Sequence, residues 1–320
     1  MKLSNFKNTN LLQLSKKNIV LTILKDWIVT TITGKDSKKY LQSQITINMR
    51  SIDKRNHQIC SHCNVSGKVY SNLLIFKINT NNYMYLQRKS VSNKQIKKLK
   101  KYSVFSNITI SNNIDTHILG IFGMKAKEKL LEYFKEIPSK NFSVYHKNND
   151  ILLWFDSPFE RFLIITKKNS DISNHILQLT NEIKDDTLWT ALDISSKFPI
   201  IDYETSEKFF PQSLNLENLK GLDFKKGCYH GQEMISKIQF KMLNRYNLYW
   251  LIGKFKTKIH IGEIIEIKYD TMWKNIGYIL AIAQIDKKEV WIQAVLKNNV
   301  EQKNTLRIKN DEKNILYMQI

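Results

Sequence analysis

Lys225-Lys226-Gly227-Cys228-Tyr229-His230-Gly231-Gln232-Glu233 places one thiol behind two lysines, between two glycines and ahead of a run that can open a helix. A thiol at a helix N-terminus meets unpaired backbone N–H groups and the positive end of the helix dipole, and neighbouring ammonium groups act in the same direction. All of these favour the thiolate, enough to lower a cysteine from about 8.5 by about one unit or more. Gly227 and Gly231 point to close backbone approach around the thiol. The competing reading is a small buried hydrophobe, the commonest fate of an unbridged cysteine. The segment alone leaves both open.

Upstream of it, hydrophobic periodicity reads as two α+β units. In the first, Ile19 to Ile23 and Trp27 to Ile32 are expected as strands paired across a Lys25-Asp26 turn. Gly34 to Ile45 reads as a helix with Tyr40, Leu41, Gln44 and Ile45 on one face. Strands at His57 to Asn64, Val69 to Ile78 and Tyr83 to Gln87 precede a basic helix from Val91 to Lys101. The second unit opens with a strand at His117 to Phe122 and a helix at Lys125 to Phe134. Strands at Ile151 to Phe155 and Arg161 to Thr166 flank a Ser157-Pro158 turn, and helices follow at Ile172 to Ile183 and Asp186 to Ser195. From Leu248 the pattern changes to short strands at Tyr249 to Phe255, Ile264 to Tyr269, Ile276 to Ile285, Glu289 to Val295 and Thr305 to Ile308, as in a small antiparallel barrel. The expected division is 1–115, 116–240 ending in the Cys228 segment, and 241–320.

Length fits this reading, since 320 residues suffice for two or three compact cores. No apolar run approaches the roughly 18 residues of a membrane span, and Met1-Lys2-Leu3-Ser4-Asn5-Phe6 lacks the apolar core of a secretory signal, so the expected location is cytoplasmic. Three cysteines without an export signal read as reduced thiols. The formal charge of +21 admits an anionic partner such as RNA or a polyglutamyl tail. Yet the lysines are spread along the chain amid abundant Asn and Ile, as compositional drift would leave them.

Cys60 and Cys63 form a C-x-x-C pair, but on a strand they face opposite sides and cannot grip one ion, so no metal is expected. Trp27 and Trp189 admit two readings, core packing or flat faces for a planar heterocycle. No G-x-G-x-x-G, Walker, H-E-x-x-H or G-x-S-x-G motif occurs.

Phe224 to Met234, with the cysteine segment at its centre, resembles the signature of the YgfZ family, which is related to the aminomethyltransferase (T protein) of the glycine cleavage system. The likeness runs nearly end to end, through Thr33-Gly34-Lys35-Asp36-Ser37, His62-Cys63 with Gly67-Lys68, Leu152-Leu153-Trp154-Phe155, Glu160-Arg161-Phe162, Phe198-Pro199-Ile200-Ile201-Asp202 and Phe210-Pro211-Gln212. It implies a three-lobed fold, two α+β lobes and a C-terminal antiparallel β-barrel around a central folate cavity. It also implies that Trp27 and Trp189 bind folate (tetrahydrofolate or a derivative), replacing the packing reading, and that Cys228 is a redox or accessory thiol. Lys226, Gly227, Tyr229, Gly231, Gln232 and Glu233 support it.

The implied role is a monomeric accessory protein that supports tRNA methylthiolation by an iron–sulfur enzyme and iron–sulfur cluster maintenance, with no membrane partner. Direct contact with tRNA is left open. The T proteins carry a catalytic carboxylate in a Gly-x-x-x-Asp-Asp turn, where this chain has Ser71-Asn72, so aminomethyl transfer is not expected. Ser195-Ser196-Lys197 stands where the family carries Glu-Ala-Gly, and the missing glutamate is expected to weaken folate binding. The alternatives are a folate-dependent one-carbon transferase and a basic RNA-binding protein without catalysis.

Overall fold

Apolar residues on both faces of most strands demand cover on both sides, and three sheets supply it around shared cores. The computed structural model describes residues 13, 15–180, 183–255, 257–287, 289–311 and 313–319. The stretch Met1 to Phe6, read above for an export signal, lies outside them.

The first sheet holds β2 (Trp27–Thr33), β3 (His57–Cys63), β4 (Val69–Asn79), β5 (Asn82–Arg88) and β6 (Thr109–Asn113), in the order β3-β4-β5-β2-β6. One face packs Ile32, Cys60, Leu73, Ile75 and Tyr85 against the helices Ser37–Gln44 and Lys89–Lys101. The second holds β1 (Val20–Ile23), β7 (Thr116–Phe122), β8 (Val144–Lys147), β9 (Asp150–Phe155), β10 (Arg161–Lys167) and β11 (Ile183–Lys184), in the order β11-β1-β7-β10-β9-β8. The remaining faces of these sheets meet in one core. There Val29, Leu74 and Leu86 from the first join Ile118, Leu153 and Leu163 from the second.

The expected β1–β2 hairpin does not form. Leu21 lies opposite Ile121 on β7, whereas Val29 lies opposite Leu86 on β5. Each strand is interior to its own sheet with a neighbour on either side, so both edges are already taken. The chain crosses between sheets at Leu24 to Asp26: Leu24 N donates to Ile118 O in the second, and Asp26 O accepts from Lys89 N in the first. That crossing sets Trp27 at the seam.

Other departures are local. The helix read to Phe134 spans Ala126–Leu131. The one read to Ile183 spans Asp171–Gln178, capped by Ser170, whose hydroxyl accepts from Ser173 N, and Ile183 is a strand residue. The closed barrel runs β12 (Tyr246–Lys254), β15 (Glu289–Lys297), β14 (Met272–Gln284), β13 (Ile264–Tyr269), β16 (Leu306–Ile308) and β17 (Leu316–Gln319). Its outer Trp250 and Trp291 pack on Ala191 and Ile194 of the helix Asp186–Ser195, fixing that helix between barrel and seam. No helix among the described residues is long and apolar enough to cross a membrane.

Candidate functional site

Trp27, the first residue of β2, and Trp189, on the helix Asp186–Ser195, line one pocket together with Phe155, Phe198, Asp193 and leucines from both sheets. The pocket encloses about 10 Å³, room for one water molecule. Trp189 can lie this deep because Gly120 on β7 has no side chain; a Cβ there would sit 2.3 Å from its ring. Phe155 meets Trp189 edge to face at 5.8 Å.

Arg161 lies over the Trp189 ring, 4.4 Å from its centre, and its Nη2 donates to Asp193 Oδ1 at 2.7 Å. Both members of this ion pair are buried. Burial pushes the Asp193 carboxyl upward and the adjacent guanidinium opposes it. Among the described residues, Trp27 Nε1, Asp193 Oδ2 and Arg161 Nη1 are buried without a hydrogen-bond partner. An unmatched polar atom inside a protein costs about 1–3 kcal/mol. A donor on Trp27 and an acceptor on Asp193, both residues lining one aromatic pocket, are the groups an amide-edged planar heterocycle would satisfy. The faces and polar atoms suit such a ring, and the space of about 10 Å³ would have to widen by a shift of its lining side chains to admit it.

Cys228 lies elsewhere. It is exposed and is not among the residues lining the tryptophan pocket. The helix behind it spans Gln232–Phe240 with Gly231 as N-cap at φ 84°, so Cys228 stands clear of the first turn and the helix-end activation read from sequence does not apply. Lys226 also turns away: its Nζ donates to Ile45 O and Ile47 O, each at 2.6 Å, and burial lowers its pKa to about 8. Tyr229 enters the shared core. Gln232 accepts from Tyr229 N at 3.3 Å and donates to Lys226 O at 3.4 Å, while Glu233 stays exposed in the first helical turn. Of the two glycines, Gly231 meets the backbone closely, since a Cβ would lie 2.4 Å from Asn64 O; around Gly227 the space is open. The signature residues therefore clasp a turn that leaves the thiol outermost.

His230, given no role in the sequence reading, places Nδ1 2.8 Å from Cys63 O and packs its ring on Tyr102 at 4.8 Å. Cys60 and Cys63 belong to different cores on opposite faces of β3, and burial pushes both thiols up. At Ser71-Asn72 the Asn72 side chain accepts from Ser61 Oγ at 2.5 Å and donates to Pro199 O at 3.1 Å, a neutral tie across the core. Ser195 Oγ donates back to Leu192 O at 2.9 Å, so the serine offers nothing to the pocket. Asp193, two residues earlier, does. Its signal in the sequence is a lone carboxylate within the apolar run Trp189-Thr190-Ala191-Leu192-Asp193-Ile194.

Residues 244–311 match the family model described as YgfZ, beta-barrel domain. The chain is 50% identical to a tRNA-modifying protein YgfZ from Buchnera aphidicola subsp. Baizongia pistaciae, over 94% of this chain and 95% of that one. It is 36% identical to the protein of that name from Yersinia enterocolitica, over 97% and 94%, and 36% identical to that from Escherichia coli strain SE11, over 92% and 90%. Among solved structures, the glycine cleavage system aminomethyltransferase T from Bartonella henselae superposes with a TM-score of 0.75 over 96% of this chain and 86% of that one, at 11% identity. The fold is thus aminomethyltransferase-like, with mixed α+β sheets and a closed antiparallel C-terminal barrel.

Proposed function

This chain belongs to the YgfZ family, and from that premise we propose that it is an accessory protein of tRNA modification that binds a folate between Trp27 and Trp189. The observation that carries the folate reading is the tryptophan pocket, where two indoles far apart in sequence meet beside an unpartnered donor and acceptor. In this reading Trp27 and Trp189 sandwich the pteridine, Asp193 Oδ2 accepts from its amide or amino N–H, and Trp27 Nε1 donates to a ring acceptor. Asp193 so takes over the hydrogen bond expected of the glutamate that Ser195 replaces. When bound, a tetrahydrofolate supplies one-carbon or reducing chemistry; the protein holds the ring, excludes water and presents Cys228 on a separate surface.

An accessory rather than transferase role fits Ser71-Asn72 on β4, where a neutral amide tied to Ser61 and Pro199 stands in place of a proton-accepting carboxylate. Support of methylthiolation by an iron–sulfur enzyme and of cluster maintenance, in the cytoplasm and with Cys228 as the functional thiol, belongs to the same proposal. Added tetrahydrofolate is expected to quench tryptophan fluorescence in the intact protein, and Trp27→Phe and Trp189→Phe each to remove part of that quenching. Trp250 and Trp291, buried at the barrel, provide a constant background. Fluorescence indifferent to tetrahydrofolate would reject the folate reading.

A further inference from the structure

Trp27 and Leu24 line a second space as well, an open cleft of about 420 Å³ that also exposes Lys25, Lys89, Lys168 and His117. The closed pocket and the open cleft thus share Leu24 and Trp27 as a common wall. Among the described residues no carboxylate lines the cleft. The nearby Asp26 is engaged by Arg88, whose Nη2 lies 3.2 Å from its Oδ2. Lys168 Nζ donates to Ile114 O at 2.8 Å, which fixes its ammonium at the rim. Lys89 opens the 13-residue helix Lys89–Lys101, whose positive end adds to the same field. Burial and the neighbouring Lys168 lower the His117 pKa, so that imidazole serves as a neutral hydrogen-bonding group beside three cations.

We infer that this cleft is the subsite for the polyglutamyl tail of a folate whose ring enters the tryptophan pocket, a claim that rests on the folate reading above. Each added γ-glutamyl unit contributes one carboxylate to a lysine-lined cleft whose neighbouring acids are engaged, Asp26 by Arg88 and Asp186 by Asp26 N. A second basic pocket, lined by Lys68, Lys208 and Arg245, shares no lining residue with the tryptophan pocket and so cannot continue a ligand seated there. The cleft at Trp27 can.

The test compares tetrahydrofolate monoglutamate with its pentaglutamate by tryptophan quenching, on the intact protein and on the double variant Lys25→Gln/Lys89→Gln. Both replaced side chains are exposed. At low salt the intact protein is expected to prefer the pentaglutamate by about ten-fold, as two partly screened ion pairs would give, and to lose that preference as salt rises. The double variant is expected to bind the two forms with equal affinity. Lys25→Glu should turn the preference toward the monoglutamate. Equal affinity of the intact protein for both forms, or a preference that survives the double replacement, overturns the inference while leaving folate binding in place. Failure of both forms to quench overturns the folate reading and the tail subsite with it.

Discussion

In the tryptophan pocket the atoms that lack partners are inside: Trp27 Nε1, Asp193 Oδ2 and Arg161 Nη1 are buried and unmatched. In the cysteine turn the neighbouring polar groups are spent on the fold. Lys226 holds two carbonyls, His230 lies against Cys63 O and Gln232 spans the turn, while the thiol stays exposed. Unmatched polar atoms thus lie inside one region, and an exposed thiol marks the other. A family signature in sequence need not consist of reactive residues. Most of this one secures a loop.

The hardest way to strain the contrast is at Asp193. Asp193→Ala leaves Arg161 buried without a counter-charge and is expected to lower stability by about 3–5 kcal/mol, read from urea midpoints. Replacing both partners, with Asp193→Leu and Arg161→Met together, should recover most of that loss, because the pair's own desolvation cost disappears with it. A double variant as unstable as the single would mean the pair contributes more than mutual neutralisation.

Acid titration tests the two regions against each other, since each has a histidine withdrawn from solvent, His57 half-buried and His62 buried. His57 packs on Phe155 of the tryptophan pocket, and burial lowers its pKa to about 4. His62 lies beneath the cysteine turn, 6.5 Å from the His230 ring, and burial lowers its pKa to about 3. In the unfolded chain both protonate near about 6.5. Their contribution to stability is therefore complete above that pH. It declines as pH falls toward 4 for His57 and 3 for His62, by about 1.4 kcal/mol per pH unit for each. His57→Gln and His62→Gln should each remove one share of the slope between pH 6 and pH 5. Slopes identical to that of the intact protein would show these imidazoles already protonated in the fold.

Much of the architecture could be read from periodicity because most strands bury alternate or continuous apolar residues with few breaks. Five of the six barrel strands and the helix Asp186–Ser195 fall where the pattern puts them, and only Leu316–Gln319, which closes the barrel, lay outside the reading. The β1–β2 hairpin was misread because local alternation cannot say which sheet a strand joins; that depends on β7 and β5, far along the chain. The meeting of Trp27 and Trp189 was reachable only through family likeness. Asp193 was missed because a carboxylate in a helix reads as exposed unless its buried partner, Arg161 on β10, is known. The position of Cys228 outside the first helical turn could not be read from spacing, because it follows from Gly231 taking the N-cap at positive φ.

The smallest expected effect on the fold is the most informative about function. Cys228 is exposed, its preceding Gly227 meets open space, and the turn is held by Lys226, Tyr229 and Gln232. Cys228→Ala should therefore change stability by less than about 0.5 kcal/mol, within the ordinary range for surface substitutions. It should also leave tetrahydrofolate quenching of Trp27 and Trp189 intact, because the thiol is outside their pocket. If Cys228 is the functional thiol, the same variant should abolish support of tRNA methylthiolation in cells whose own copy has been removed. Loss of modification with unchanged stability and folate binding would establish that the turn exists to present this sulfur. Normal modification would instead leave the clasp of Lys226, His230 and Gln232 as packing, and transfer the functional weight to the tryptophan pocket.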